Sequence, residues 1–213
     1  MGGSAPAYPV SLRLEGQRVL VVGGGPVGER KVTGLVTAGA RVILVSPGVT
    51  EVLASLAQEG AIQWEPRVFQ VEDLEGCRLA VAATDSDEVN GLVASEARSR
   101  SIWVNDSTAL ERSDYTLPAV VRRGGLTLTV GTEGGSPAYS KLVRGMLEEG
   151  FGEEHAKMLG LLSELRPRVM ATFPESSDRR AFWDRIVTLE SLEQIRQGEI
   201  EVVKERAAKW LLS

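Results

Sequence analysis

One cysteine and one histidine stand among 213 residues. Cys77 alone forms no internal disulfide. Cys77 and His155 are too few soft ligands for a zinc or iron–sulfur site within one chain, so no metal site is read. Positive charge is also short: the formal net charge is −5. That balance disfavours general binding to nucleic acid or to a membrane surface. An anionic substrate would need a local cluster of Arg or Lys. No apolar run approaches the roughly 20 residues of a membrane span. The opening segment MGGSAPAYPV lacks a basic patch followed by an apolar stretch, so it does not read as a secretory signal. The chain reads as a soluble, cytoplasmic protein. No internal repeat or low-complexity tract stands out.

What is present is ordinary for a globular protein. Hydrophobic residues make up 43% and charged residues 25%, which excludes a disordered chain, a collagen-like repeat and a coiled-coil rod. The length suits one domain of roughly 110 residues with a smaller piece attached.

The first hundred residues alternate in type. Arg18–Val22, Arg41–Val45, Ile62–Trp64, Leu79–Ala83 and Ile102–Val104 read as strands. Helices are predicted from the glycine turn to Ala38, over Val49–Gln58 and over Asp87–Arg98. Strand, helix, strand in this rhythm gives a parallel sheet with helices on both faces. The pattern then changes. Thr116–Val121 and Leu126–Val130 are β-rich runs joined by Arg122-Arg-Gly-Gly125, a hairpin signal. Ser136 suits an N-cap and Pro137 the first helical position. The remainder reads as helical, with Met158, Leu161, Leu162, Leu165 and Val169 at helical spacing. Pro167 is expected to kink or end that stretch, and another helix to start near Ser177 or Asp178.

The strongest local signal is Gly23-Gly-Gly25-Pro26-Val27-Gly28, a G-x-G-x-x-G run directly after a strand and at the start of a helix. Gly23 permits the tight turn, Gly25 lets a pyrophosphate approach the backbone, and Gly28 allows helix to pack on strand. This is the Rossmann fingerprint, and it calls for a dinucleotide. A ligand-free glycine turn is the structural alternative. The acidic residue expected at the end of the second strand is missing, because Val45-Ser46-Pro47 stands there. Ser46 could bond a ribose, and the residues leave NAD and NADP both open.

Further polar residues sit at strand ends, where open α/β sheets bind ligands. Thr84 and Asp85 follow one strand and are expected to face the crevice, although Ser86 or Asp87 also fits a helix cap. Asn105 and Asp106 follow another, where the residues alone favour a turn over a site. Thr132 and Ser136 lie in a glycine-rich loop before the capped helix, and Lys141 and Arg144 share one face of that helix. Such a pair otherwise reads as part of a solvated surface.

Together these segments resemble the precorrin-2 dehydrogenase family of sirohaem synthesis, including the N-terminal half of sirohaem synthases. The matching residues are Tyr8-Pro-Val10, Val21 through Lys31, Ala82-Ala-Thr-Asp85 with Val89-Asn90, Asn105, Leu117-Pro118, Gly134-Gly-Ser-Pro137 with Lys141-Leu-Val-Arg144, and Arg179-Arg-Ala-Phe-Trp183. They cover nearly the whole chain in family order, and Glu29-Arg-Lys31 separates this family from generic Rossmann domains. No methyltransferase segment follows, so a stand-alone form is expected.

The resemblance implies an α/β fold. A Rossmann-type NAD-binding domain would span 1–114, a β-hairpin and helix dimerisation domain 115–150, and a helical C-terminal domain 151–213. It implies NAD as cofactor, a homodimer, and oxidation of the tetrapyrrole precorrin-2 to sirohydrochlorin. Some relatives also insert ferrous iron. Candidate cations for the substrate carboxylates are Arg30, Lys31, Arg122, Arg123, Lys141 and Arg144, with Thr132 and Ser136 as polar contacts. One position departs from the family. Relatives carry an aspartate three residues after the counterpart of Asn105, and Thr108 stands there. If the chain stayed extended, Asp106 and Thr108 would project to one side and Asp106 would supply the carboxylate. Asn105, Asp106 and Thr108 are therefore the catalytic candidates. Iron insertion is expected to be weak or absent. The rival function is an NAD-binding sensor without catalysis.

Overall fold

The computed structural model describes residues 6–212; residues 1–5 of the opening segment lie outside the described residues. The chain forms two compact units, one ending at Leu117 and the other beginning at Pro118. The segments 115–150 and 151–213, expected as separate domains, fall mainly within the second unit.

The first unit is built on five parallel strands: β1 (Arg18–Val22), β2 (Arg41–Val45), β3 (Gln63–Glu65), β4 (Leu79–Ala82) and β5 (Trp103–Asp106). Their order is β3-β2-β1-β4-β5. Val, Leu, Ile and Ala fill the central strands because both faces are covered. Helices α1 (Pro26–Thr37) and α2 (Glu51–Gln58) cover one face, where Val32 and Leu53 pack on Val19, Val21, Leu44 and Val81. Helix α3 (Asp87–Ser99) covers the other, with Val93, Ala94 and Ala97 on Leu20, Ala80, Ala82 and Val104. Full burial of a side chain such as Val or Leu contributes about 1.5–3 kcal/mol. β1 pairs with both β2 and β4, so the connections from β1 and β4 leave toward opposite faces. The crevice between them is the topological switch point.

The second unit opens with the antiparallel hairpin β6 (Ala119–Arg123) and β7 (Leu126–Val130). Helix α4 (Pro137–Gly150) follows, with Ser136 accepting from the Tyr139 amide as N-cap. Helices α5 (Glu153–Thr172), α6 (Ser176–Ile186), α7 (Leu189–Arg196) and α8 (Ile200–Leu211) then share a core of Met158, Leu161, Leu165, Val169, Phe182, Ile186, Ile195 and Val203.

Pro167 neither ends nor interrupts α5, which runs through it to Thr172. The proline is exposed, while Leu161, Leu165 and Val169 anchor the opposite side in the core. Packing on that side outweighs the lost backbone bond, which costs about 3 kcal/mol in a helix interior. Strand β5 begins at Trp103 and runs on to Asp106, two residues beyond the sequence reading. No helix among the described residues is long and apolar enough to cross a membrane.

Candidate active site

The glycine run folds as a turn whose close approaches leave no room for side chains. Gly23 has φ 114°, and a Cβ on it would stand 2.3 Å from the Ala83 carbonyl oxygen. On Gly24 it would stand 2.3 Å from the Gly48 oxygen, and on Gly28 2.0 Å from the Gly23 oxygen. Gly25 differs: its φ is −79°, and nothing lies within 4 Å of the position a Cβ would take. It is exposed and is the N-cap of α1, yet it supplies no side-chain cap. Thr50, Ser86 and Ser136 cap α2, α3 and α4. The N-terminus of α1 thus combines open space, free of side chains, with uncapped amides at Val27 and Gly28 beside the exposed Pro26. Such an end attracts an anion, and its position at the switch point fits a dinucleotide pyrophosphate.

Ser46 does not offer its hydroxyl to a ribose. It is 8% exposed, donates to the Gly48 carbonyl at 2.7 Å and accepts from the Gly24 amide at 3.0 Å. Its role is to fasten the glycine turn to the end of β2, with Pro47 exposed beside it.

Across the switch point, Thr84 is also committed. Its hydroxyl donates to Asn90 Oδ1 at 2.8 Å, its amide donates to the same oxygen at 3.0 Å, and its carbonyl accepts from Asn90 Nδ2 at 3.0 Å. Asn90 is fully buried on α3 and also donates to Thr108 Oγ1 at 3.4 Å. Asp85 is exposed. Ser86, rather than Asp87, caps α3. Asp87 pairs instead with Arg112.

Asn105 and Asp106 are neighbours on β5 and so project to opposite faces. Asn105 lies on the α1 face. Its Oδ1 accepts from Lys31 Nζ at 3.2 Å, and its Nδ2 donates to the Tyr115 carbonyl at 3.0 Å. Burial, reinforced by repulsion from Arg30, lowers the Lys31 pKa from its ordinary value. Burial likewise raises that of the Tyr115 phenol.

Asp106 lies on the α3 face, and its side chain is 0% exposed. Oδ1 accepts from the Thr108 hydroxyl at 2.6 Å, the Thr108 amide at 2.9 Å and the Ala109 amide at 3.3 Å. Oδ2 accepts from Arg112 Nε at 2.5 Å. Burial alone would push this carboxyl up. The Thr108 and Arg112 donors more than offset it and hold the group below the usual carboxylate range. The extended continuation beyond Asp106 is absent: β5 ends there and Thr108 turns back onto the carboxylate. The geometry is that of an Asx turn locked by an arginine, which corrects the picture of an open carboxylate. Arg112 joins the loops after β4 and β5 through Asp87 and Asp106, and carries no motif signal in the sequence.

The remaining candidates divide between the units. Arg30 is exposed and Lys31 half-buried in the first. In the second, Thr132 Oγ1 lies 3.0 Å from Ser140 Oγ, Lys141 is exposed, and Arg144 pairs with Glu148 at 3.0 Å. No group of three or more His, Cys, Asp or Glu side chains disposed to hold a metal occurs among the described residues.

Known proteins share stretches of this sequence and this fold. Residues 10–119 match the family described as "Putative NAD(P)-binding". Residues 155–211 match the sirohaem synthase dimerisation region, a span beyond segment 115–150, where the sequence places dimerisation. The siroheme synthase of Pseudomonas entomophila (strain L48) is 38% identical over 178 residues, which are 84% of this chain and 38% of that protein. The siroheme synthase of Chromobacterium violaceum is 36% identical over 192 residues, 90% of this chain and 41% of that protein. The chain therefore spans well under half the length of these relatives. SirC, a precorrin-2 dehydrogenase of known structure, superposes with a TM-score of 0.83 at 25% identity, covering 95% of this chain and 100% of the other. With the dinucleotide fingerprint and the dimerisation-region match in one chain, the protein belongs to this NAD(P)-binding family, in the group of precorrin-2 dehydrogenases and the corresponding part of siroheme synthases.

Proposed function

We propose that this chain oxidises precorrin-2 to sirohydrochlorin with NAD in sirohaem synthesis. The observation that carries the reading is the uncapped N-terminus of α1 at the switch point, in a chain similar to siroheme synthases and to a precorrin-2 dehydrogenase. NAD, when bound, supplies the hydride acceptor.

The residues present fit that cofactor. Gly23, Gly24 and Gly28 shape the turn, and Gly25 leaves space for the pyrophosphate. Ser46 holds the turn in place. Thr84, Asn90, Thr108, Asp106, Arg112 and Asp87 fix the two opposite loops to each other. Asp85 and Pro47 stand exposed at the rim. Arg30, exposed in the first unit, is a cation offered to a substrate carboxylate, and within the second unit Lys141 is exposed while Arg144 pairs with Glu148. Thr132 and Ser136 serve as polar contacts of the second unit.

The chain acts as a cytoplasmic homodimer. Segment 115–150 is retained as a partner-facing element, because Tyr139, Leu142 and Met146 expose an apolar stripe at helical spacing on α4. Iron, a substrate of a further step in some relatives, is inserted poorly here, since the family aspartate is replaced by Thr108.

The test mixes purified protein, NAD and precorrin-2 and follows NADH absorbance together with the sirohydrochlorin spectrum. Stoichiometric NADH and sirohydrochlorin support the reading. NAD binding without turnover selects the sensor instead.

A further inference from the structure

If precorrin-2 is the substrate, one task remains without a residue. The oxidation removes a hydride and a proton, and the carboxylate first suggested for the proton is sealed. Asp106 is fully buried, its oxygens occupied by Thr108, Ala109 and Arg112. We propose that the side-chain amine of Lys31, carried by the helix that begins at the glycine turn and held by Asn105 near the carboxyl end of β5, is the proton acceptor of the reaction. The proposal rests on the function proposed above and deepens it.

Position comes first. Lys31 lies on the second turn of α1, whose N-terminus forms the pyrophosphate cradle. Its side chain reaches the last part of β5, where Asn105 Oδ1 accepts from Nζ at 3.2 Å. Asn105 is itself buried and tied to the Tyr115 carbonyl, so the acceptor that orients the amine is fixed. This is the edge of the sheet where the cofactor and the reacting atoms are expected.

Chemistry comes second. No carboxylate pairs with Lys31 among the described residues, unlike Arg67, Arg98, Arg112 and Arg196. The charged group that acts on it is Arg30, which repels its ammonium form, and its burial adds to that effect. Its hydrogen-bond partner Asn105, and the Tyr115 carbonyl that holds Asn105, bring no negative charge. A lysine so placed gives up its proton more readily than one in water, as a general base requires. Asn105 needs only one amine hydrogen, so the lone pair of the neutral form is left for another partner.

The step balances. A C–H bond of precorrin-2 breaks, and its electron pair leaves with the hydrogen to NAD. A macrocycle proton is lost to Lys31, and the pair it leaves behind joins the extended conjugation. The substrate is oxidised by two electrons, NAD is reduced by two, and Lys31 returns the proton to water.

The rival role for Lys31 is an anchor for a substrate carboxylate, and two substitutions separate them. Lys31→Arg keeps the charge but removes the base; Lys31→Met removes both. Both variants are expected to lose kcat by about 10²–10⁴-fold, the usual share of a general base. KM for precorrin-2 and the calorimetric affinity for NAD stay near wild type. The unfolding temperature of Lys31→Met stays at or above wild type, because a disfavoured buried charge is gone. Nitrogen-15 NMR of the Lys31 amine in the wild type shows a titration below the ordinary lysine value of about 10.4. Lys31→Arg with undiminished kcat, a raised KM as the main effect of Lys31→Met, or an ordinary lysine titration overturns the assignment. Wild-type protein that binds NAD but yields no NADH overturns the function reading, and is scored separately.

Discussion

Gly25→Ala separates ligand binding from folding more cleanly than any other change in the glycine turn. The backbone there is extended, with φ −79° and ψ −174°, and the added methyl meets nothing within 4 Å. Alanine is a poorer N-cap than glycine by roughly 0.5–1 kcal/mol, judged from cap substitutions. Against this, replacing glycine restricts the unfolded chain and returns about 0.4–1 kcal/mol. The two nearly cancel, so the unfolding temperature changes little. The bound state differs. The methyl stands in the open space at the N-terminus of α1, where the fingerprint brings a pyrophosphate close to the Gly25 backbone. Losing one hydrogen bond to a charged group costs about 1.5–3 kcal/mol, which raises Kd for NAD roughly 10- to 150-fold. Isothermal titration calorimetry gives the affinity and thermal unfolding gives the control. Gly28→Ala is the contrast, since its Cβ would stand 2.0 Å from the Gly23 oxygen. That variant loses stability by about 1–3 kcal/mol as well as binding. Wild-type affinity in Gly25→Ala would refute the cradle, and with it the placement of the cofactor.

Three further outcomes follow from the same structure. Asp106→Asn keeps the oxidation rate within about tenfold, short of the 10²–10⁴ a lost general base would cost, and lowers stability by about 1–3 kcal/mol because Arg112 loses its charged partner; steady-state NADH formation and urea unfolding check both. Pro167→Ala restores an exposed helical hydrogen bond and raises stability by about 2–3 kcal/mol, read from the urea midpoint. Asp73, Asp87 and Glu154 through arginine partners, and Asp106 through Thr108 and Arg112, all have pKa values below the carboxylate norm, so their stabilisation is full above the unfolded value near 4 and fades as pH falls through the folded values; a thermal-unfolding series from pH 7 to pH 2 should therefore stay nearly flat at first and fall below about pH 4.

The sheet was legible because buried parallel strands write themselves as short β-branched runs. Arg18–Val22 and Arg41–Val45 match the sequence reading residue for residue. The glycine turn was legible because each close approach excludes a side chain. Pro167 does not end α5 for a physical reason: local chemistry argues for a kink or an end, and the packed side of Leu161, Leu165 and Val169 carries the helix on to Thr172. Ser46 misled in another way. A hydroxyl at that strand end suits a ribose, but nothing in one dimension shows that Gly24 and Gly48 reach it first. Arg112 was invisible, because its value lies in joining Asp87 and Asp106, which are 25 and 6 residues away.

The departure at Thr108 gains its meaning from the alternation of a strand. Asn105 and Asp106 read as one polar dipeptide, yet the pleat sends one side chain toward α1 and the other toward α3. A carboxylate at Asp106 therefore cannot stand in for a missing neighbour by sliding along the chain. Its fixed direction, and the turn that Thr108 closes over it, commit it to the face where Arg112 clamps the loops. On the α1 face no aspartate is needed to orient Lys31, because Asn105 does so without adding a charge. An aspartate there would pair with the amine and hold it protonated, removing its value as a base. Asn105→Asp tests that contrast. It preserves shape and adds charge to the contact with Lys31 while giving up the bond to the Tyr115 carbonyl, and it is expected to raise the pKa of the amine and to shift the rising limb of the kcat–pH profile upward. An unshifted limb would mean that the proton leaves by a route that does not involve Lys31.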